Sequence, residues 1–206
     1  ERYKLSKKVH PLLMTRGVPG THDIDLILRF FRIIKKRNFK SLSLPKFDKS
    51  IDDRFNKNQW YKIKSKPDVV IFEGWCVGAK SQKNIELKKP INPLEKKQDK
   101  SMKWRKYVNF QLTGKYKAFH NMLDCLLYLK AKNFSLLRRW RLKQEKKLFL
   151  KSKNKKNLKI MNKNEVLNFM MTYQRITEQM FKTATKFSSV VMTLNSQHQI
   201  INIKFK

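Results

Sequence analysis

Acidic residues are scarce in this chain: 15 Asp and Glu stand against 49 Lys and Arg, a formal net charge of +34 over 206 residues. Cysteine is rarer still, with Cys76 and Cys125 far apart and no CxxC or Cys/His spacing. That excludes a sequence-encoded zinc site or a disulfide scaffold, and points to reduced thiols in a cytoplasmic protein. No apolar run approaches the length of a membrane helix. The opening residues, ERYKLSKKVH, lack the apolar centre of a signal peptide, so no membrane role is expected. There is no zinc finger, RNA-binding aromatic signature or basic zipper.

The excess of lysine makes a physical case for nucleic acid, since clustered cations release counterions from a phosphate backbone. Yet Lys far outnumbers Arg, Asn and Ile are abundant, and the lysines are scattered over every expected element. The charge therefore reads as compositional, the mark of an AT-rich coding sequence. Nucleic acid is not taken as the main partner, although the field still draws in small anions. A basic nucleic-acid-binding protein remains the alternative from a different class. At 206 residues and 40% hydrophobic composition, the chain suits one medium domain with a real core.

Helix and strand patterns alternate along it. GTHDIDLILRFFRIIKKRNF has apolar residues at Ile24, Ile27, Leu28, Phe31 and Ile34, which is helical spacing, with Thr21 or Asp23 as cap. Ser41–Phe47 reads as a short strand. DVVIFEGW, from Asp68, is apolar on both faces and reads as a buried parallel strand. Residues 80–100, with Pro90 and Pro93, read as a flexible insertion. Residues 100–122 are mostly helical, with a weak point at Gly114. Asp124–Ala131 is a further buried strand, and 135–150 a strongly basic helix. A helix with an Asn cap and Glu165 near its start follows at 162–184. The C-terminal residues form two strands around Asn195–Gln197. Such alternation means an α/β protein with a parallel sheet.

In open α/β sheets, ligands sit at the carboxyl ends of strands. Glu73 ends one expected strand, and Asp48 follows another. A carboxylate in that position can hold magnesium through water or orient a phosphoryl group; the bland alternative for Glu73 is a salt-bridged strand end. Gly74 and Gly78 let the following turn lie close to a ligand.

Five motifs then appear in order: TRGVPGTHD (Thr15–Asp23), LPKFDKSIDDR (Leu44–Arg54), DVVIFEGWCVG (Asp68–Gly78), RRWRLKQE (Arg138–Glu145) and MNKNEVLNFMMTYQRITEQM (Met161–Met180). Together they resemble the glycerate 3-kinase-type branch of the P-loop kinases, relatives of uridine kinase, phosphoribulokinase and pantothenate kinase. The resemblance implies a three-layer α/β/α fold with a mostly parallel sheet, and ATP- and Mg2+-dependent phosphorylation of a small hydroxyl-bearing metabolite, D-glycerate to 3-phosphoglycerate. That family carries a GxxxxGK loop followed by Ser or Thr. None of the five glycines here stands in that arrangement. An acidic Asp-Asp-Phe-Tyr segment that precedes the first motif in the family is also absent. The expectation is a chain incomplete at its N-terminus, lacking the first strand and the P-loop, and inactive alone. A non-catalytic remnant is the further alternative.

The resemblance also assigns roles. Arg16, Gly17, Gly20, Thr21, His22 and Asp23 correspond to a substrate-side loop, with Arg16 pairing to a carboxylate or phosphate. His22 either donates to a substrate hydroxyl or caps the turn with Asp23. Lys46, Asp48, Lys49 and Arg54 correspond to a second substrate motif, Asp48 to a hydroxyl and the cations to anionic oxygens, unless they form surface pairs with Asp52 and Asp53. Glu73 corresponds to the acidic end of a Walker B-type strand and supports magnesium. Arg138 and Arg141 correspond to a lid over ATP phosphates; Arg139 points to solvent. Trp75 reads as core or pocket wall, and Tyr173, Glu178, Met170 and Phe181 as structural. His10, His120 and His198 have no catalytic partners in sequence, and Cys76 has nothing to make it a nucleophile.

Overall fold

The computed structural model describes residues 2–48, 53–151 and 160–206. They divide into two compact units, Glu1–Asp23 with Trp75–Lys206, and Ile24–Gly74, where the sequence reads as one kinase-like domain. In chain order the first half holds α1 (Arg2–Lys8), α2 (Ile24–Ile34), β1 (Leu42–Leu44), β2 (Phe47–Asp48), β3 (Asp53–Arg54) and β4 (Tyr61–Ile63). Then come α3 (Asn84–Lys88), α4 (Pro93–Gln98), α5 (Lys103–Gln111) and α6 (Lys115–His120). The last part holds β5 (Leu127–Lys130), α7 (Phe134–Lys151), α8 (Lys163–Phe187), β6 (Val190–Leu194) and β7 (Ile200–Phe205).

In the larger unit β5, β6 and β7 form one sheet, β5 parallel to β6 and β6 antiparallel to β7. A parallel pair needs a long crossover, and α7 with α8 supplies it. Asn162 caps α8: its side chain accepts from Glu165 N while Glu165 Oε2 accepts from Asn162 N at 2.7 Å, a reciprocal box. The α7–α8 interface buries Phe134, Val166 and Met170, with Phe169 and Phe181 packed against them. The expected break near Gly114 is present, between α5 and α6.

The α/β class is as expected, but among the described residues parallel pairing of strands is confined to β5–β6. β5 is less buried than its apolar sequence suggests. Leu127 and Leu129 share a sheet face with Ile203 and Phe205, and these four are 54%, 59%, 45% and 74% exposed. The opposite face carries the buried Val191 beside the half-buried Tyr128. Strands of a parallel sheet are fully buried only where helices cover both faces.

Residues 80–100 are not an irregular insertion. Asn92 caps α4 by accepting from Glu95 N at 2.9 Å, and Pro93 opens that helix. Glu95 and Asp99 are fully buried. Arg175 of α8 donates to both Glu95 oxygens, at 2.7 and 2.6 Å, and to the carbonyls of Glu86 and Lys89. Arg105 of α5 donates to Asp99 Oδ2 at 2.7 Å and to the Leu87 carbonyl at 2.7 Å. Pro90 and Pro93 suggest a loop, but a buried pair with its remaining donors satisfied holds the segment in place.

The smaller unit contains α2, whose Ile24, Leu28, Phe31 and Ile34 are buried at the expected helical spacing, while Ile27 is half-buried. Its strands are short antiparallel pairs, β1 with β4 and β2 with β3. Residues 68–73 form no ladder among the described residues. Val69 and Ile71 are 76% and 89% exposed, although Phe72 packs edge-on to Phe31 at 5.7 Å. The buried strand expected there is an extended run. A strand needs a neighbour for its backbone groups, and none is assigned beside it. Among the described residues no helix is long and apolar enough to cross a membrane.

Candidate active site

The loop Thr15–Asp23 is closed on itself. Thr21 Oγ1 accepts from Gly17 N at 2.9 Å and donates to Val18 O at 2.7 Å, so this hydroxyl shapes the loop. It is thereby occupied and lies three residues before α2, which begins at Ile24; of the two caps expected, Asp23 is the residue directly before the helix. Val18 and Pro19 are buried, which leaves exposed Arg16 and half-buried His22 on the loop's surface.

Two aromatic residues distant in sequence grip this loop. Trp75 Nε1 donates to the Gly17 carbonyl at 2.9 Å, and the Tyr173 hydroxyl donates to the Arg16 carbonyl at 2.8 Å. Their rings meet edge to face at 4.5 Å. Gly17 has φ +127°, and a Cβ there would collide with the Tyr173 hydroxyl. Gly20, at φ +94°, would press a Cβ to 2.6 Å from a Tyr107 ring carbon. Both positions therefore require glycine on conformation and on space. Burial pushes the Tyr173 phenol up to about 12, against a smaller opposing pull from Arg141 and Arg16.

Tyr116, 3% exposed on α6, completes the loop's surroundings. Its hydroxyl accepts from Gly20 N at 2.9 Å and lies 2.8 Å from His22 Nδ1. Burial, and then the nearby Arg16 charge, lower the His22 pKa. After Trp75 the chain turns: Gly78 N donates to His120 Nε2 at 3.1 Å, and burial holds His120 at about 4. Cys76 is buried and its thiol is pushed up to about 12, so it is inert as a nucleophile.

A cleft of about 750 Å³ opens beside the gripped loop. Trp75, Tyr173 and Phe169 form its apolar wall; Arg141, Lys143 and Lys147 of α7 supply charge. The Arg141 guanidinium lies over the Phe169 ring at 5.6 Å and pairs with Glu145 at 2.5 Å. Glu145 is buried and also accepts from Met161 N at 3.2 Å, so Arg141 is oriented from behind. Arg138 instead lies over the Phe134 ring at 5.6 Å and does not line the cleft; Arg139 is exposed. At the far end Trp140 stacks on His198 at 4.0 Å and donates to the Ser196 carbonyl, tying α7 to the β6–β7 turn. His198 has φ +68°, uncommon for a non-glycine residue.

The second substrate motif lies in the smaller unit, on the β2–β3 hairpin. Phe47 is opposite Arg54 and Asp48 opposite Asp53. The Lys46 ammonium rests over the Phe55 ring at 4.9 Å. Two carboxylates directly opposite each other destabilise the pairing of β2 with β3. Lys49, the fourth member, lies outside the described residues. Glu73 is exposed, and no ion pair or hydrogen bond engages its side chain among the described residues. The described residues contain no group of three His, Cys, Asp or Glu able to cage a metal ion. Magnesium commonly takes one or two carboxylates and completes its shell with water and phosphate oxygens, and the exposed Glu73 carboxylate is one donor of that kind.

Sequence alone gives Tyr116 no role and places Tyr173 with structure and Trp75 with core or pocket wall. Neither tyrosine has a local signal, because each meets the loop only through the fold. Trp75 carried a hint, since an indole N–H after a Glu-Gly turn needs a partner.

No protein-family model matches the chain. It is 30% identical over 175 residues to the uncharacterized kinase mug58 of Schizosaccharomyces pombe, across 80% of this chain and 58% of that protein. It is 28% identical over 141 residues to the chloroplastic D-glycerate 3-kinase of Arabidopsis thaliana, across 65% of this chain and 28% of that one. The chain thus spans little more than half of the first relative and under a third of the second. Among solved structures, the D-glycerate 3-kinase of Cryptococcus neoformans var. grubii superposes with a TM-score of 0.81 at 24% identity, covering all of this chain and 74% of that one.

Proposed function

We propose, from the premise that this chain belongs in sequence and fold with the P-loop kinases of D-glycerate 3-kinase type, that it contributes the acceptor side of an ATP-dependent kinase. The acceptor is a small hydroxy acid, D-glycerate, phosphorylated at its primary hydroxyl. The observation that carries this reading is the grip of Trp75 and Tyr173 on the Arg16–Gly17 backbone at the wall of the Arg141 cleft.

On this reading Arg16 binds the acid carboxylate through paired N–H donors. Its backbone is fixed before substrate arrives, so little orientation entropy remains to be lost on binding. Arg141 offsets negative charge on the nucleotide phosphates, and its pairing with Glu145 keeps it aimed, while Arg138, over Phe134, adds to the basic character of the same helix. Lys46, Asp48, Lys49 and Arg54 contribute to acceptor binding, with Asp48 on a hydroxyl. Glu73 supports magnesium through its exposed carboxylate. ATP supplies the phosphoryl group and magnesium spreads its charge. A reducing compartment such as the cytoplasm suits two free cysteines.

The test is ATP consumption by the full-length protein with D-glycerate, uridine and pantothenate in parallel. The reading expects D-glycerate to be preferred. Equal background rates with all three would remove the substrate assignment.

A further inference from the structure

The Tyr116 hydroxyl has one proton and two acceptor lone pairs. Gly20 N takes one lone pair at 2.9 Å. The proton needs an acceptor, because Tyr116 is 3% exposed and a buried hydroxyl without a partner is destabilising. Among the described residues the only acceptor-capable atom at hydrogen-bond distance is His22 Nδ1, at 2.8 Å. If Nδ1 carried a proton, the phenolic oxygen would receive two donors and its own proton would have nowhere to go. A doubly protonated imidazole meets the same conflict and also faces the Arg16 charge.

We propose that Tyr116 is a positioning residue that fixes His22 as the neutral imidazole with its proton on Nε2. His22 therefore presents an N–H donor and not a base, and the group it recognises is an acceptor oxygen of the substrate, a carboxylate, hydroxyl or phosphate oxygen. Burial of the imidazole, and secondarily Arg16, keep it neutral at physiological pH. Tyr107 and Cys76 face Tyr116, and burial raises the pKa of both, so they add no charge to the cluster. The tautomer stands on geometry alone; the recognition role rests on the kinase reading above.

Ring nitrogen NMR of the full chain, labelled with 15N-histidine and assigned with His22→Gln, reads the tautomer directly. The expected result at pH 7 is a protonated Nε2 and an unprotonated Nδ1 for His22. A majority Nδ1–H form, or an imidazolium at pH 7, overturns the proposal whether or not the protein is a kinase. Tyr116→Phe should shift His22 toward a mixture of tautomers, and an unchanged His22 spectrum in a folded variant would likewise count against it. The recognition role is read from KM. His22→Ala should raise KM for the acid about tenfold, the scale of one hydrogen bond to a charged group. His22→Gln, which keeps a donor near the Nε2 position, should recover part of that loss. Equal damage by both, or a fall in turnover with KM unchanged, would contradict a donor role.

Discussion

The Tyr173 hydroxyl donates to the Arg16 carbonyl at 2.8 Å across 157 positions of sequence. With the Trp75 bond to the next carbonyl, it makes the backbone of the first motif a fixed platform. Tyr173→Phe keeps the ring against Trp75 and removes only this bond. It should cost about 1 kcal/mol of stability and raise KM for the acid acceptor several-fold, with kcat little changed. Thermal melts and steady-state kinetics on one preparation check this. A lower Tm with KM unchanged would make Tyr173 purely structural.

Gly17→Ala should be more damaging. At φ +127° a side chain is strained, and its Cβ would drive into the Tyr173 hydroxyl. The conformational part alone costs about 1–3 kcal/mol. Urea denaturation should show a lower midpoint, and KM should rise more than in Tyr173→Phe. A variant as stable as the parent would mean that the loop can rearrange.

Stability should fall with acid through His120. Its folded pKa, about 4, lies below the ordinary 6.5, because burial favours the neutral ring. The unfolded chain binds this proton first as pH drops. The contribution is complete above 6.5 and shrinks progressively as pH falls from 6.5 toward 4. His120→Asn should flatten that part of the stability–pH curve. An unchanged slope would assign the acid sensitivity to other groups.

Glu73 is exposed and has no side-chain partner among the described residues, so Glu73→Gln should leave Tm within about 1 °C of the parent, as for a typical surface change. In the full-length enzyme, turnover should drop by roughly two to three orders of magnitude, the usual loss on removing one electrostatic stabiliser of a transition state. A variant with near-parent turnover would strike Glu73 from the site.

Much of the fold is legible in local pattern. The Asn162–Glu165 box, the interruption at Gly114 and the hairpin around Asn195–Gln197 are decided by residues within a few positions of one another. Residues 80–100 look like a loop in sequence because Pro90 and Pro93 are visible locally, while Arg105 and Arg175, which hold the segment, are not. The run 68–73 departs in the opposite sense: its apolar residues are those of a strand, but a strand also needs a neighbouring stretch of backbone. The candidate site divides the same way. Arg16, His22 and Arg141 stand out within their motifs, whereas Tyr116 lies in none, and the roles of Trp75 and Tyr173, though both lie in motifs, come from carbonyls they meet only after folding.

The most direct measurement is the fate of labelled phosphate. Full-length protein incubated with γ-labelled ATP, Mg2+ and D-glycerate should place the label in 3-phosphoglycerate, and Glu73→Gln should abolish nearly all of it. Label released only as inorganic phosphate, or on another acceptor while D-glycerate stays unmodified, would contradict the account.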